Sequence, residues 1–119
     1  MRELLLLALS IALAGCAAPG ARVDPPSAVA HAARAVERAK TAGAPEADPV
    51  NYGAAREKLS EARRLLDKRP ARSRRLAESA AADARLARAA AMQRKLRQSE
   101  EAMEAAVINT RDRLTSHGM

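Results

Sequence analysis

The sequence predicts an all-α fold. It reads as an antiparallel helical hairpin with a long third helix and a shorter N-terminal helix, elongated, with a heptad trace suited to a coiled coil. Three observations carry this reading. Proline clusters at Pro19 to Pro26, Pro45 to Pro49 and Pro70, and these punctuate the chain. Between them, apolar residues recur at three- and four-residue spacing, the period of a helix face. Strong helix formers fill the intervals, and 31 of the 119 residues are Ala.

Composition excludes several classes of function. The 48% hydrophobic content is mostly Ala, whose side chain buries little area. There is no Phe or Trp, and Tyr52 is the one aromatic residue. An aromatic-anchored core, an aromatic substrate pocket and a stacking platform for single-stranded nucleic acid are therefore not expected. A single Cys excludes an internal disulfide framework and any multi-Cys metal site. Twenty-one basic against 14 acidic side chains give a net charge of +7.

The first element is an address. Leu4 to Ala14 is apolar except for Ser10. It falls short of the roughly 20 residues a spanning helix needs but matches a signal-peptide core. It ends in Leu13-Ala14-Gly15-Cys16, which resembles the bacterial lipoprotein lipobox. Small residues let a peptidase groove accept extended backbone, and the thiol accepts the lipid. The resemblance implies cleavage before Cys16, a diacylglycerol thioether on it and further acylation with a chain such as palmitate. Two or more chains give stable anchoring at about 0.8 kcal/mol per buried CH₂. Residues 1–15 are thus read as signal peptide, 16–26 as acylated Cys16 and flexible tether, and 27–117 as an α-helical periplasmic module. By analogy with lipoprotein sorting in Gram-negative bacteria, Ala17 rather than Asp points to the periplasmic face of the outer membrane in preference to the inner membrane.

The helices follow. Residues 17–26 contain Pro19, Gly20, Pro25 and Pro26 and read as non-helical spacer. Ser27 is the expected cap of a first helix, Ala28 to Ala42. Its apolar stripe is Val29, Ala32, Ala33, Val36 and Ala39, and Gly43 suits its C-terminal cap. After a short connection, Asp48-Pro49 reads as a second start, with Asp as cap and Pro in the first turn. Tyr52, Ala55, Leu59, Ala62 and Leu66 then follow a 3-4-3-4 seam. Asp67 to Pro70 breaks the helix, because the residue before Pro is pushed out of the helical region. From Pro70 or Ala71 no breaker appears before Gly118. The third helix therefore outruns the second by more than half its length. The expected hairpin seam is Tyr52, Leu59, Leu66, Leu76 and Leu86. The overhang continues a heptad trace through Gln93, Leu96, Glu100, Met103, Val107, Thr110 and Leu114.

Tyr52 to about Ala91 contains Tyr-Gly-Ala-Ala-Arg-Glu-Lys-Leu and, after the break, Asp-Ala-Arg-Leu-Ala at Asp83 to Ala87. With the lipobox and the Pro-containing start of the first helix, this stretch resembles the bacterial lipoprotein module called domain of unknown function 4398. The resemblance implies an Ala- and Leu-rich helical fold and an envelope location. It implies no activity.

Candidate chemistry is sparse. His31 and His117 are far apart in sequence, and no third or fourth metal ligand accompanies either. No phosphate loop, His-Glu-x-x-His or Gly-x-Ser-x-Gly pattern occurs. The acid pairs Glu57/Glu61 and Glu100/Glu104 read as solvated helix surface, relieved by Arg64 and by Arg97 paired with Glu101. No catalytic residue, no metal and no cofactor beyond the lipid on Cys16 are expected.

The strongest remaining signal is charge. Arg63, Arg64, Lys68, Arg69, Arg72, Arg74 and Arg75 fall within thirteen residues, with Asp67 between them. An envelope location and the lack of interleaved aromatics argue against nucleic acid. Guanidinium forks suit carboxylate and phosphate, so peptidoglycan, lipopolysaccharide and phospholipid headgroups are the candidate ligands. The leading expectation is a structural or adaptor lipoprotein of the bacterial envelope. Leu96, Met103, Val107 and Leu114 would meet an envelope protein or a second copy. The alternative is a binding module for anionic envelope polymer, peptidoglycan or lipopolysaccharide, acting through Arg63 to Arg75.

Overall fold

The computed structural model describes residues 22–118. Among the described residues there are four helices, α1 (Pro25–Ala42), α2 (Ala44–Ala47), α3 (Pro49–Leu65) and α4 (Pro70–His117). Cys16, the rest of the lipobox and most of the expected tether lie outside the described residues. The architecture is all-α and elongated, because α4 alone has 48 residues, about 72 Å at 1.5 Å per residue.

Helix α1 begins three residues earlier than its sequence suggests. Pro25 and Pro26 occupy its first two positions, where a backbone N–H has no helical partner to lose. The cap is Asp24, not Ser27, and its Oδ2 accepts a hydrogen bond from the Ser27 N–H at 3.1 Å. The non-helical spacer therefore ends at Asp24 and does not include the two prolines. Gly43 ends α1 with φ of 95°, and its N–H reaches the Ala39 and Lys40 carbonyls. That left-handed geometry favours glycine. The expected short connection is the single turn α2, and Asp48 then caps α3, accepting from the Asn51 N–H at 3.1 Å.

The turn from α3 to α4 falls where Asp67 to Pro70 predicts it. The Leu66 N–H bonds to the Arg63 carbonyl, so it does not serve Ala62. Ser73, fully buried in the second turn of α4, donates its hydroxyl to the Ala62 carbonyl at 2.6 Å. One of the orphan carbonyls that end any helix is thereby satisfied by the helix that follows.

Helices α1 and α3 both pack on the first part of α4 and touch each other less extensively. The N-terminal helix is thus the third member of an up-down-up bundle with the hairpin. Its core is built from small side chains. Of the 17 buried apolar residues among those described, 13 are Ala, and only Val29, Val36, Leu59 and Leu65 are larger. The α1 stripe is buried as expected, with Ala33 at its edge. On α3, Ala55, Leu59 and Ala62 are buried while Tyr52 and Leu66 are half-buried, and Leu65 rather than Leu66 is the deeper leucine.

The expected leucine seam on α4 is corrected. Leu76 is half-buried and Leu86 is 59% exposed. Between α1 and α3 the helix instead presents Ser73, Ala77, Ala80, Ala84, Ala87 and Ala91. A helix gripped from two sides needs a wide face of small residues, so that both neighbours approach closely. A single leucine seam serves only one neighbour.

Candidate functional site

Two surfaces stand out from the bundle, one charged and one apolar. The charged surface caps the end where α3 turns into α4. Arg63 and Arg64 lie in the last turns of α3, Lys68 and Arg69 in the connection, and Arg72, Arg74 and Arg75 in the first turns of α4. The turn chemistry thus gathers the whole Arg63–Arg75 cluster at one end. All seven are exposed except Arg74, which is intermediate.

Ion pairs use only part of this charge. Arg64 makes a two-pronged bond to Glu61, at 2.8 and 2.6 Å. That bond holds the Glu61 carboxyl below its usual range, with a smaller push from the positive charge of Arg64 and Arg72. It also raises the Arg64 guanidinium further. Arg74 reaches Glu78 at 3.2 Å. Among the described residues, Arg63, Lys68, Arg69, Arg72 and Arg75 form no ion pair. Arg97 and Glu101 do not pair either. Their order along the helix, base before acid, is the weaker one for residues four apart.

The apolar surface is the second part of α4. Ala91 is its last buried residue; Arg94, Lys95 and Gln98 still border α2, and every residue from 92 to 117 is exposed. Leu96, Met103, Val107 and Leu114 are 62%, 62%, 68% and 72% exposed. At 100° per residue all four fall within about 40° of one line along the helix, and Met92 extends it. Glu100 interrupts this stripe. The hydroxyls of Ser99, Thr110, Thr115 and Ser116 donate to carbonyls of their own helix at 2.8 to 2.9 Å, so they present no free donor outward.

Other candidate groups stand apart from these surfaces. His31 is exposed on α1, and His117 Nδ1 lies 2.9 Å from the Arg113 carbonyl oxygen. Glu57, Glu100 and Glu104 are exposed. Among the described residues no three His, Cys, Asp or Glu side chains converge to hold a metal. No described helix is long and apolar enough to cross a membrane.

Two features were not legible in the sequence. Ser73 reads as an ordinary helix serine until α3 is folded back on it. Lys58 donates to Asp83 at 2.6 Å and to Ser79 at 2.9 Å, which locks α3 to α4 across 25 residues of sequence. Asp83 begins the Asp-Ala-Arg-Leu-Ala segment, yet nothing local identifies its partner.

The family model described as Domain of unknown function (DUF4398) matches residues 27–106. The matched stretch covers the bundle and the first part of the bare helix. No curated protein and no solved structure gives a significant match.

Proposed function

The chain belongs to the DUF4398 family, and from that premise we propose that it is a lipid-anchored lipoprotein with a structural or adaptor role in the bacterial cell envelope. Cys16 carries the lipid, and Leu13, Ala14 and Gly15 direct its processing. Ala17 favours the periplasmic face of the outer membrane. The observation that carries the adaptor reading is the bare part of α4. Twenty-six residues, about 39 Å of helix, carry the exposed stripe Leu96, Met103, Val107 and Leu114 without covering it. Such a stripe, on a helix held rigid at one end by a bundle, fits the groove of an envelope protein or the same stripe of a second copy.

Replacing Met103 and Val107 together with Asp is expected to abolish crosslinking to the partner in cells while the melting temperature of the bundle is unchanged. Unaltered crosslinking would refute the adaptor reading. For the anchor, radiolabelled palmitate is expected on the chain and absent from the Cys16→Ala variant, which should leave the membrane fraction.

A second reading, binding of anionic envelope polymer, is favoured by one observation: five of the seven cations at the α3–α4 end lack an ion-pair partner among the described residues. It predicts salt-sensitive co-sedimentation with peptidoglycan, lost when Arg69, Arg72 and Arg75 become Gln.

A further inference from the structure

The packing of α1 decides where the basic end lies relative to the anchor. Helices α1 and α4 run in the same direction. Ser27 and His31 lie beside Glu78, Ala81 and Arg85, while Ala42 and Glu46 lie beside Ala91 and Arg94. Helix α3 runs the other way, with Ala33 and Val36 of α1 near Leu59 and Arg63. Carried back to the start of α1, this register sets Pro25 level with about Arg75 on α4 and just past Arg63 on α3. The chain therefore enters the bundle at the basic end.

Reach then limits the geometry. Six Cα-to-Cα steps separate Cys16 from Arg22, the first described residue. They span at most about 20 Å even if fully extended. The far end of α4 lies about 70 Å from the α3–α4 turn. An acyl group on Cys16 thus holds the basic end near the bilayer and permits the far end to stand well away from it. Arg22 joins the seven cations of the Arg63–Arg75 stretch, and among the described residues Asp24, Glu61, Asp67 and Glu78 oppose them at that end.

We propose that the Arg63–Arg75 end of the bundle docks on the anionic phospholipid headgroups of the membrane that holds Cys16, so that α4 projects away from the bilayer. The proposal rests on the lipid-anchor reading above. Guanidinium groups take phosphate oxygens bidentately, and basic residues beside a membrane are drawn to its negative surface. The tether makes the encounter intramolecular, which raises the effective headgroup concentration above that of any untethered polymer. Docked this way, Leu96 and Leu114 stand about 40 and 65 Å beyond the turn. The positions of α4 in line with the stripe within the bundle, Glu78, Ala82, Arg85 and Ala89, are exposed.

The test uses the full processed chain in vesicles, with a fluorophore on Ala71→Cys or on Ser116→Cys and an energy-transfer acceptor in the headgroups. On phosphatidylglycerol–phosphatidylethanolamine vesicles, strong transfer is expected from position 71 and little from position 116. On phosphatidylcholine vesicles, or at high salt, transfer from 71 should fall. Changing Arg69, Arg72 and Arg75 to Gln should lower the docked-to-undocked ratio roughly a hundredfold, and Lys at the same positions should restore most of it. Circular dichroism of the exposed-site variants should match that of the parent. Transfer from 71 that ignores headgroup charge, salt and the triple variant would overturn the proposal, leaving proximity to the tether alone. Equal transfer from 116 would overturn the orientation, because α4 would then lie flat. Binding to purified peptidoglycan that phosphatidylglycerol vesicles do not compete away would assign the cluster to the polymer instead. The mass of the N-terminal peptide separates the two readings. An unmodified Cys16 sinks the anchor and the docking together, whereas an acylated Cys16 with an indifferent position 71 sinks the docking alone.

Discussion

The two parts of α4 belong to one unbroken helix, yet they treat their apolar residues in opposite ways. Residues 70–91 bury Ala77, Ala80, Ala84, Ala87 and Ala91 to 2% exposure or less. Residues 92–117 carry the larger Leu96, Met103, Val107 and Leu114 and expose all of them by more than half. Side-chain size thus runs against burial along this helix. The reason lies in what surrounds each part. Where α1 and α3 both press on α4, the contact is close enough that only methyl groups fit between backbones. Past Ala91, where α1 and α3 no longer press on both sides, the larger side chains stay exposed.

The largest expected effect breaks this contrast directly. Ala84→Leu adds three heavy atoms to a site with no exposed surface. Overpacking should destabilise the bundle by about 1–3 kcal/mol or more. Ala105→Leu, on the bare part, should change stability by no more than about 0.5 kcal/mol. Denaturant midpoints of the two variants measure the difference, and equal midpoints would mean that α1 and α3 do not pack as closely as described.

A smaller effect sharpens the bundle side of the comparison. Ser73→Ala removes the 2.6 Å bond to the Ala62 carbonyl and leaves that carbonyl in a buried site. The cost should be about 1–3 kcal/mol. Ser99→Ala removes a bond of the same kind at an exposed position and should cost much less. Hydrogen exchange in the last turn of α3 should accelerate in the first variant only.

The smallest effect concerns the helix starts. Hydrogen bonds from the Ser27 side chain and N–H hold the Asp24 carboxyl below its ordinary range, and those from the Asn51 side chain and N–H do the same for Asp48. A carboxylate with a depressed folded-state value stabilises the fold above its unfolded value, and that contribution is lost as pH falls through the folded value. The melting temperature should therefore be flat near neutrality and decline in acid. In the Asp24→Asn/Asp48→Asn variant the caps remain but no longer titrate, so the acid decline should be shallower. An identical decline in both chains would remove the caps as its source.

Local chemistry was legible in the sequence wherever a few adjacent residues suffice. Gly43, Asp48-Pro49 and Pro70 marked their junctions correctly, because caps and breakers act within one turn. Pro25-Pro26 reads as spacer in the sequence although the same rule applies, since Asp24 can cap just as Ser27 can. The basic cluster was legible as charge. Its place at one end follows from the turn, and five of its members form no ion pair among the described residues. The core face of α4 was not legible. Ala lies on every side of that helix, so periodicity cannot say which methyl groups are buried, and size alone places Leu86 in the expected seam.

The sequence by itself determined the helices, their order and the long uninterrupted α4, because propensity, capping and proline sterics are properties of short segments. It also placed the lipobox-like segment and the cations along the chain. Only the tertiary structure decided that α1 completes a three-helix bundle, that Ala forms the core, and that the start of α1 meets the basic turn at one end. Those facts depend on which faces come together across tens of residues, where small side chains set the distance between helices and no local pattern records the choice.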